Sequence, residues 1–312
     1  MRVAMTGAMV LLAMVVASGP ALAGGEAKTK DSEAIAILKV AMANEKDLAV
    51  LTKALADLDA LAVKQPKDAD THYARGWVLS HLGRVEPSVA AYDKAFDLDK
   101  TLTSAAYNAG VVLAAGGRNK ESLIRFERAL AVDPKFVDAA YNAGQGYYNA
   151  QEFAKAAERW ETVIRLAPND FEAAKKLVQA YVALGKDAEV AKARERVFAL
   201  KKAAKVPGLA KMKSYVYDQF DVGAHHVYVY EPFEISGDIT YVYKFVVSDH
   251  DRMIGSVTLE TRTAMRENAA GYMLGIDKSG GVQHSFRDKI WTTLPAYRVI
   301  KAEATKKIEA NF

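Results

Sequence analysis

Few residues in this chain have types and spacings that could do chemistry. His225 and His226 are adjacent, Asp249-His250-Asp251 is a polar triplet, and Glu231 and Glu234 flank Pro232-Phe233. Neighbouring residues of a strand point to opposite faces, so the histidine pair cannot offer two ligands to one metal ion. The triplet falls at a turn and would need partners from other strands. Two acids beside a turn are ordinary surface chemistry unless a substrate lies between them. Ser279-Gly280-Gly281 is glycine-rich, but no long helix follows to complete a phosphate cradle. No serine lies in a nucleophile-elbow pattern. His72 and His81 are too far apart along a helix to ligate as an i, i+4 pair. The chain has no cysteine, which removes disulfides, thiolate metal sites and a thiol nucleophile. These residues point to no enzyme, no metal and no other cofactor.

The stronger pattern is periodic. Gly76, Gly110 and Gly144 recur at one constant step, with Tyr73, Tyr107 and Tyr141 just before them in the same register. Tyr92, Phe126 and Trp160 keep that step, as do Leu98, Val132 and Leu166. Small residues let two helices approach, and large ones fill the space beside them. Gly83 and Gly117 fall where a first helix must turn, and Pro134 and Pro168 fall where a second must stop. The best units are 69–102, 103–136 and 137–170. Degenerate helical pairs flank them, upstream from Ser32 to Val63 with Pro66 in step, and downstream from Phe171 to Lys205. End units of a solenoid depart from consensus because one face meets water.

In this register the chain resembles the tetratricopeptide-repeat (TPR) family over about residues 31–205. Val137 to Asp170 matches it best, with Tyr141, Gly144, Tyr147, Ala156, Trp160 and Pro168 in place. The first unit departs at Ser88, for the usual alanine, and at Lys100, for proline. The resemblance implies a groove lined by the first helix of each pair, occupied by a protein or peptide partner. By position, the groove candidates are Tyr73, Trp77, Tyr107, Asn108, Tyr141, Asn142, Gln145 and Tyr148. Aromatic rings offer contact area with few torsions to freeze, and an asparagine amide can grip a peptide backbone. Tyrosines at these places also suit packing between repeats, and the asparagines also suit bracing. The lysines and arginines of the family's carboxylate clamp are missing from these places.

The remaining sequence changes character near Val206-Pro207-Gly208. Aromatic and β-branched residues alternate with polar ones, as in Ile239 to Val247, where Ile239, Tyr241, Tyr243, Phe245 and Val247 share a face. Further strands are expected over 214–220, 225–230, 254–262, 271–276 and 282–286, with turns at 236–238, 249–252 and 277–281. Short connections imply an antiparallel sheet or sandwich. A terminal helix is expected from about Pro295 to Ala310, with Tyr297, Ile300, Ala304 and Ile308 on its buried side. The expected fold class is therefore α + β multidomain, an α-solenoid of TPR helix pairs followed by a β-rich domain, 206–312.

At the other end, Met1-Arg2, an apolar run from Val3 to Val16, and Ala21-Leu22-Ala23 before Gly24 form a signal-peptide pattern over 1–23. No other stretch is long and apolar enough to span a bilayer. The expectation is a periplasmic protein, with a secreted product as the alternative. The net charge of +4 over 312 residues is too weak to argue for nucleic acid as a partner, which calls for a concentrated basic patch. Together these features predict an exported scaffold or adaptor of the bacterial envelope. The alternative is a glycan- or other ligand-binding protein acting through Tyr228, Tyr230, Tyr241 and Tyr243 of the β domain, with the repeats as spacer or oligomerisation arm.

Overall fold

The computed structural model describes residues 32–203, 214–232, 239–249, 252–263, 270–278, 282–291 and 297–312. The signal pattern at 1–23, the composition change at 206–208, the turns at 236–238 and 279–281, and Glu234, His250, Asp251 and Pro295 lie outside them. The chain divides into two compact units, one running to Leu166 and one from Ala167.

In the first unit, helices pair as α1 (Glu33–Ala43) with α2 (Leu48–Lys64), α3 (Ala69–His81) with α4 (Val85–Leu98), α5 (Thr103–Ala115) with α6 (Asn119–Val132), and α7 (Val137–Asn149) with α8 (Phe153–Leu166). Local chemistry starts several of them. Asp47 accepts from the amides of Ala49 and Val50, and Asp68 accepts from that of Thr71, satisfying donors that a first turn leaves open. The repeat glycines are contact points. A Cβ on Gly76 would stand 2.7 Å from the Tyr92 ring, on Gly110 2.6 Å from Phe126, and on Gly144 2.6 Å from Trp160. Each aromatic ring thus occupies the volume that its glycine vacates. Ser88, the departure from alanine, is fully buried and donates to the carbonyl of Gly76 at 2.7 Å, so its hydroxyl is satisfied.

The first helices of the three best repeats, α3, α5 and α7, close in the same way. Gly83 and Gly117 have φ of 71° and 75°, and the following amides of Arg84 and Arg118 reach back to the carbonyls of Leu79 and Leu113. The third repeat makes this turn with Gln151, at φ 61°, a left-handed conformation that an L side chain opposes.

The second unit begins with the degenerate pair α9 (Phe171–Ala183) and α10 (Asp187–Ala203). It continues with β1 (Ser214–Val222), β2 (His225–Pro232), β3 (Ile239–Asp249), β4 (Arg252–Thr263), β5 (Ala270–Lys278) and β6 (Val282–Trp291), and closes with α11 (Tyr297–Asn311). The strands form one six-stranded antiparallel sheet in the order β1-β2-β3-β4-β5-β6. Val227 faces Val247, Val229 faces Phe245, and Phe245 faces Val257; all are fully buried. A bulge between Val216 and Asp218 turns the consecutive residues Tyr217 and Asp218 inward together. There Asp218 accepts from the Tyr297 hydroxyl and from Lys301 Nζ, both at 2.9 Å, which ties α11 to β1.

One departure from the repeat in this unit has a visible cause. Val178 stands one repeat step after Gly144, and Arg194 one step after Trp160. Glycine and aromatic are both lost, and the Arg194 guanidinium instead lies 5.6 Å from the Tyr217 ring and 5.4 Å from the Tyr243 ring.

Candidate peptide-binding face

The first helices α3, α5 and α7 place equivalent residues one above another. Asn108 Nδ2 donates to the Tyr73 hydroxyl at 3.0 Å, and Asn142 Nδ2 donates to the Tyr107 hydroxyl at 3.1 Å. Each asparagine therefore reaches back to the tyrosine of the preceding repeat, forming a ladder along this face. The bracing role is thus realised, and one donor of each amide is engaged within the protein. Burial pushes the Tyr73 phenol up, against the opposing hydrogen bonds from Ser104 and Asn108. Burial, aided by the Asp138 charge and opposed by Asn142, raises Tyr107 to about 12. Both remain neutral hydroxyls at ordinary pH.

The eight sequence candidates divide by accessibility. Tyr73 and Trp77 are 2% and 6% exposed, so they belong to the core of the first repeat and cannot supply contact area. Trp77 stacks on His81 with ring centroids 3.7 Å apart, and Tyr73 meets Tyr92 edge-on. Tyr107, Asn108, Tyr141, Asn142, Gln145 and Tyr148 are half-buried. Tyr107 leans on Phe126 and Phe136, and Tyr148 on Phe153 and Trp160, so their rings are held by packing while part of each stays accessible. Gln145 donates to Asn149 Oδ1 at 2.8 Å in an exposed bond. The accessible stretch is thus carried by the second and third repeats.

A residue that the sequence reading passed over shows what this position can do. Gln179 stands one repeat step after Gln145, on α9. Its Nε2 donates to the backbone carbonyl of Val216, in β1, at 3.1 Å. An amide at this place of the repeat thus holds an extended segment by its main chain. The signal was present in the repeat frame, but nothing in the sequence shows which segment would arrive there. Lys176 takes the place that Asn108 and Asn142 hold earlier, and burial keeps its ammonium below the usual lysine range.

In the sheet, Tyr243 is buried at 2% and meets Tyr217 and Tyr297, so it is not available to stack on a sugar. Tyr228 and Tyr230 are half-buried, and the side chain of Tyr241 lies outside the described ones. His226 Nδ1 lies 2.7 Å from Asp221 Oδ1. Among the described residues, no three histidine, aspartate or glutamate side chains converge on a metal-sized site, and no helix is long and apolar enough to cross a membrane.

A family model described as tetratricopeptide repeat matches residues 51–101 and 141–193. No curated protein matches the sequence. Among solved structures, a crystal structure of MamA is 20% identical with a TM-score of 0.48, covering 57% of this chain and 99% of that one. MamA from Desulfovibrio magneticus RS-1 is 22% identical at a TM-score of 0.47, covering 55% and 96%. YrrB, titled a TPR protein with an unusual peptide-binding site, is 18% identical at 0.44, covering 57% and 97%. The two matched stretches, in which Gly76 interlocks with Tyr92 and Gly144 with Trp160, are tetratricopeptide repeats.

Proposed function

We propose that the protein is an exported scaffold of the bacterial envelope, which holds an extended segment of a partner protein along α5 and α7. The observation that carries this reading is the bond from Gln179 to the carbonyl of Val216. In the degenerate last pair, an extended strand of the same chain takes the position that a peptide would take. Gln145 presents the same amide one repeat earlier, on the helix that also carries half-buried Tyr141 and Tyr148. Rotating Gln145 away from Asn149 frees both ends of its amide for a peptide group, which needs one donor and one acceptor. The small exposed residues Ala114 and Ala115 on α5 leave room for such a segment to pass. The signal pattern at 1–23 supports the envelope location.

A photo-crosslinking residue at position 145 tests the face, with position 120, on the exposed start of α6, as control. A discrete envelope protein joined through 145 and not through 120 is expected. Equal crosslinking from both positions would remove the face from consideration. N-terminal sequencing of the exported product tests the localisation, with Gly24 expected as its first residue.

A further inference from the structure

A second, separate feature lies between α2, α3 and α4, where the helices enclose an open recess of about 400 Å³. Its origin is visible in the repeat frame. Along the second helices, Arg125 reaches back to Asp93 at 2.9 Å and Arg159 reaches back to Glu127 at 2.7 Å. These pairs are equivalent, one repeat apart. One repeat earlier the acid is Asp59, but the arginine position holds Ala91. The side chain that closes the two later joints is therefore absent from this one. Arg75, from the first helix, meets Asp59 in its place at 2.7 Å.

The recess that remains is unbalanced in charge. Arg75, Arg84 and Lys94 line it against the single acid Asp59. Among the described residues, neither Arg84 nor Lys94 has a carboxylate partner. His72 also lines the recess and is 8% exposed. One of its nitrogens, Nε2, lies 3.0 Å from the carbonyl of Pro66, while Nδ1 is buried with no partner. With Nε2–H donating to that carbonyl, Nδ1 is left as an unused acceptor in the recess wall. The wall also includes Leu55 and Leu79, which suit a methylene stem better than a bare inorganic ion.

We propose that this recess is a docking site for the carboxylate side chain of an acidic peptide, with the stem against the leucines and the carboxylate toward Arg84 and Lys94. It uses different helices from the face on α5 and α7, so either site can fail without the other.

The test is anisotropy titration of the purified chain with a fluorescein-labelled hexaglutamate peptide, and with hexaglutamine as control. The informative variant is Ala91→Arg. It places in the recess the side chain that fills both later joints, so the fold should keep its melting temperature. It also adds a positive charge. Hexaglutamate should bind and hexaglutamine should not, and Ala91→Arg should weaken hexaglutamate by at least about tenfold, as should Arg84→Gln with Lys94→Gln. Equal or tighter binding by Ala91→Arg would mean general attraction to a basic surface and would overturn the site. No binding of hexaglutamate would do the same. Displacement of hexaglutamate by an equal concentration of inorganic phosphate would overturn the assignment to a carboxylate side chain.

Discussion

Gln151 makes the turn that Gly83, Gly117 and Gly185 make elsewhere, at φ 61° against their 71°, 75° and 67°. A left-handed conformation costs an L residue about 1–2 kcal/mol, part of which glycine gives back through its greater freedom in the unfolded chain. Gln151→Gly should therefore stabilise the first unit by up to about 1 kcal/mol, read from the midpoint of urea unfolding with an unchanged slope. Gly144 behaves oppositely. An added methyl would meet Trp160 ring atoms at 2.6–2.9 Å, and the ring is fully buried with its indole N–H on the Tyr141 carbonyl at 3.2 Å. Gly144→Ala should cost about 1–3 kcal/mol, the range for overpacking a tight contact. A smaller apolar residue at 160 should lessen that cost in a double-mutant cycle, because the two positions share one volume.

Between elements, the repeats are coupled on two sides. The tyrosine–asparagine ladder joins successive first helices, and the acid–arginine pairs join successive second helices. Half-buried neutral hydrogen bonds contribute about 0.5–1.5 kcal/mol each, while ion pairs at a solvent-accessible joint, as these partly buried ones are, contribute about 0–1 and respond to salt. A cycle of Tyr107→Phe with Asn142→Ala should therefore show coupling of about 1 kcal/mol that survives added salt. The cycle of Glu127→Gln with Arg159→Gln should show less, and salt should erase most of it. Equal salt sensitivity in both cycles would contradict this division. Element positions were largely legible beforehand. The six expected strands and the terminal helix all appear, with β6 and β4 longer than anticipated. Their alternation or helical spacing is a local property that burial on one face imposes directly. The role of Arg194 was not legible, because it depends on rings brought to it by strands β1 and β3.

At the scale of the molecule, both units bury phenols. Burial raises Tyr73 and Tyr92 in the first unit and Tyr297 in the second, and it takes Tyr107 to about 12. The ordinary value is 10.0. Above that pH the unfolded chain gives up protons that the folded chain retains, so stability falls as pH rises. Stabilisation from these groups should be intact below about pH 10 and progressively lost above it, through about 12 for Tyr107. Thermal melts across that range should show a steep decline, and Tyr107→Phe should make the first unit's decline shallower. A flat profile between about pH 9 and pH 11 would show that these hydroxyls are far more solvated than their surroundings imply.

The sequence by itself determined the repeat. Each glycine and its aromatic partner lie on the two helices of one hairpin, close along the chain, as Gly76 and Tyr92 do. The interlock therefore closes locally and leaves the same imprint at every step. Contacts that join one hairpin to the next, or a helix to a strand, were decided only in three dimensions. Tyr73 and Trp77 pass into the core because neighbouring helices cover them, and Asn108 and Asn142 turn back to the preceding tyrosines. Gln179 meets β1 through backbone geometry that no side-chain pattern encodes. The recess beside Ala91 is visible only when a missing arginine is compared with the joints that have one. Local packing repeats in the sequence; the surfaces that could receive a partner arise where the repetition breaks.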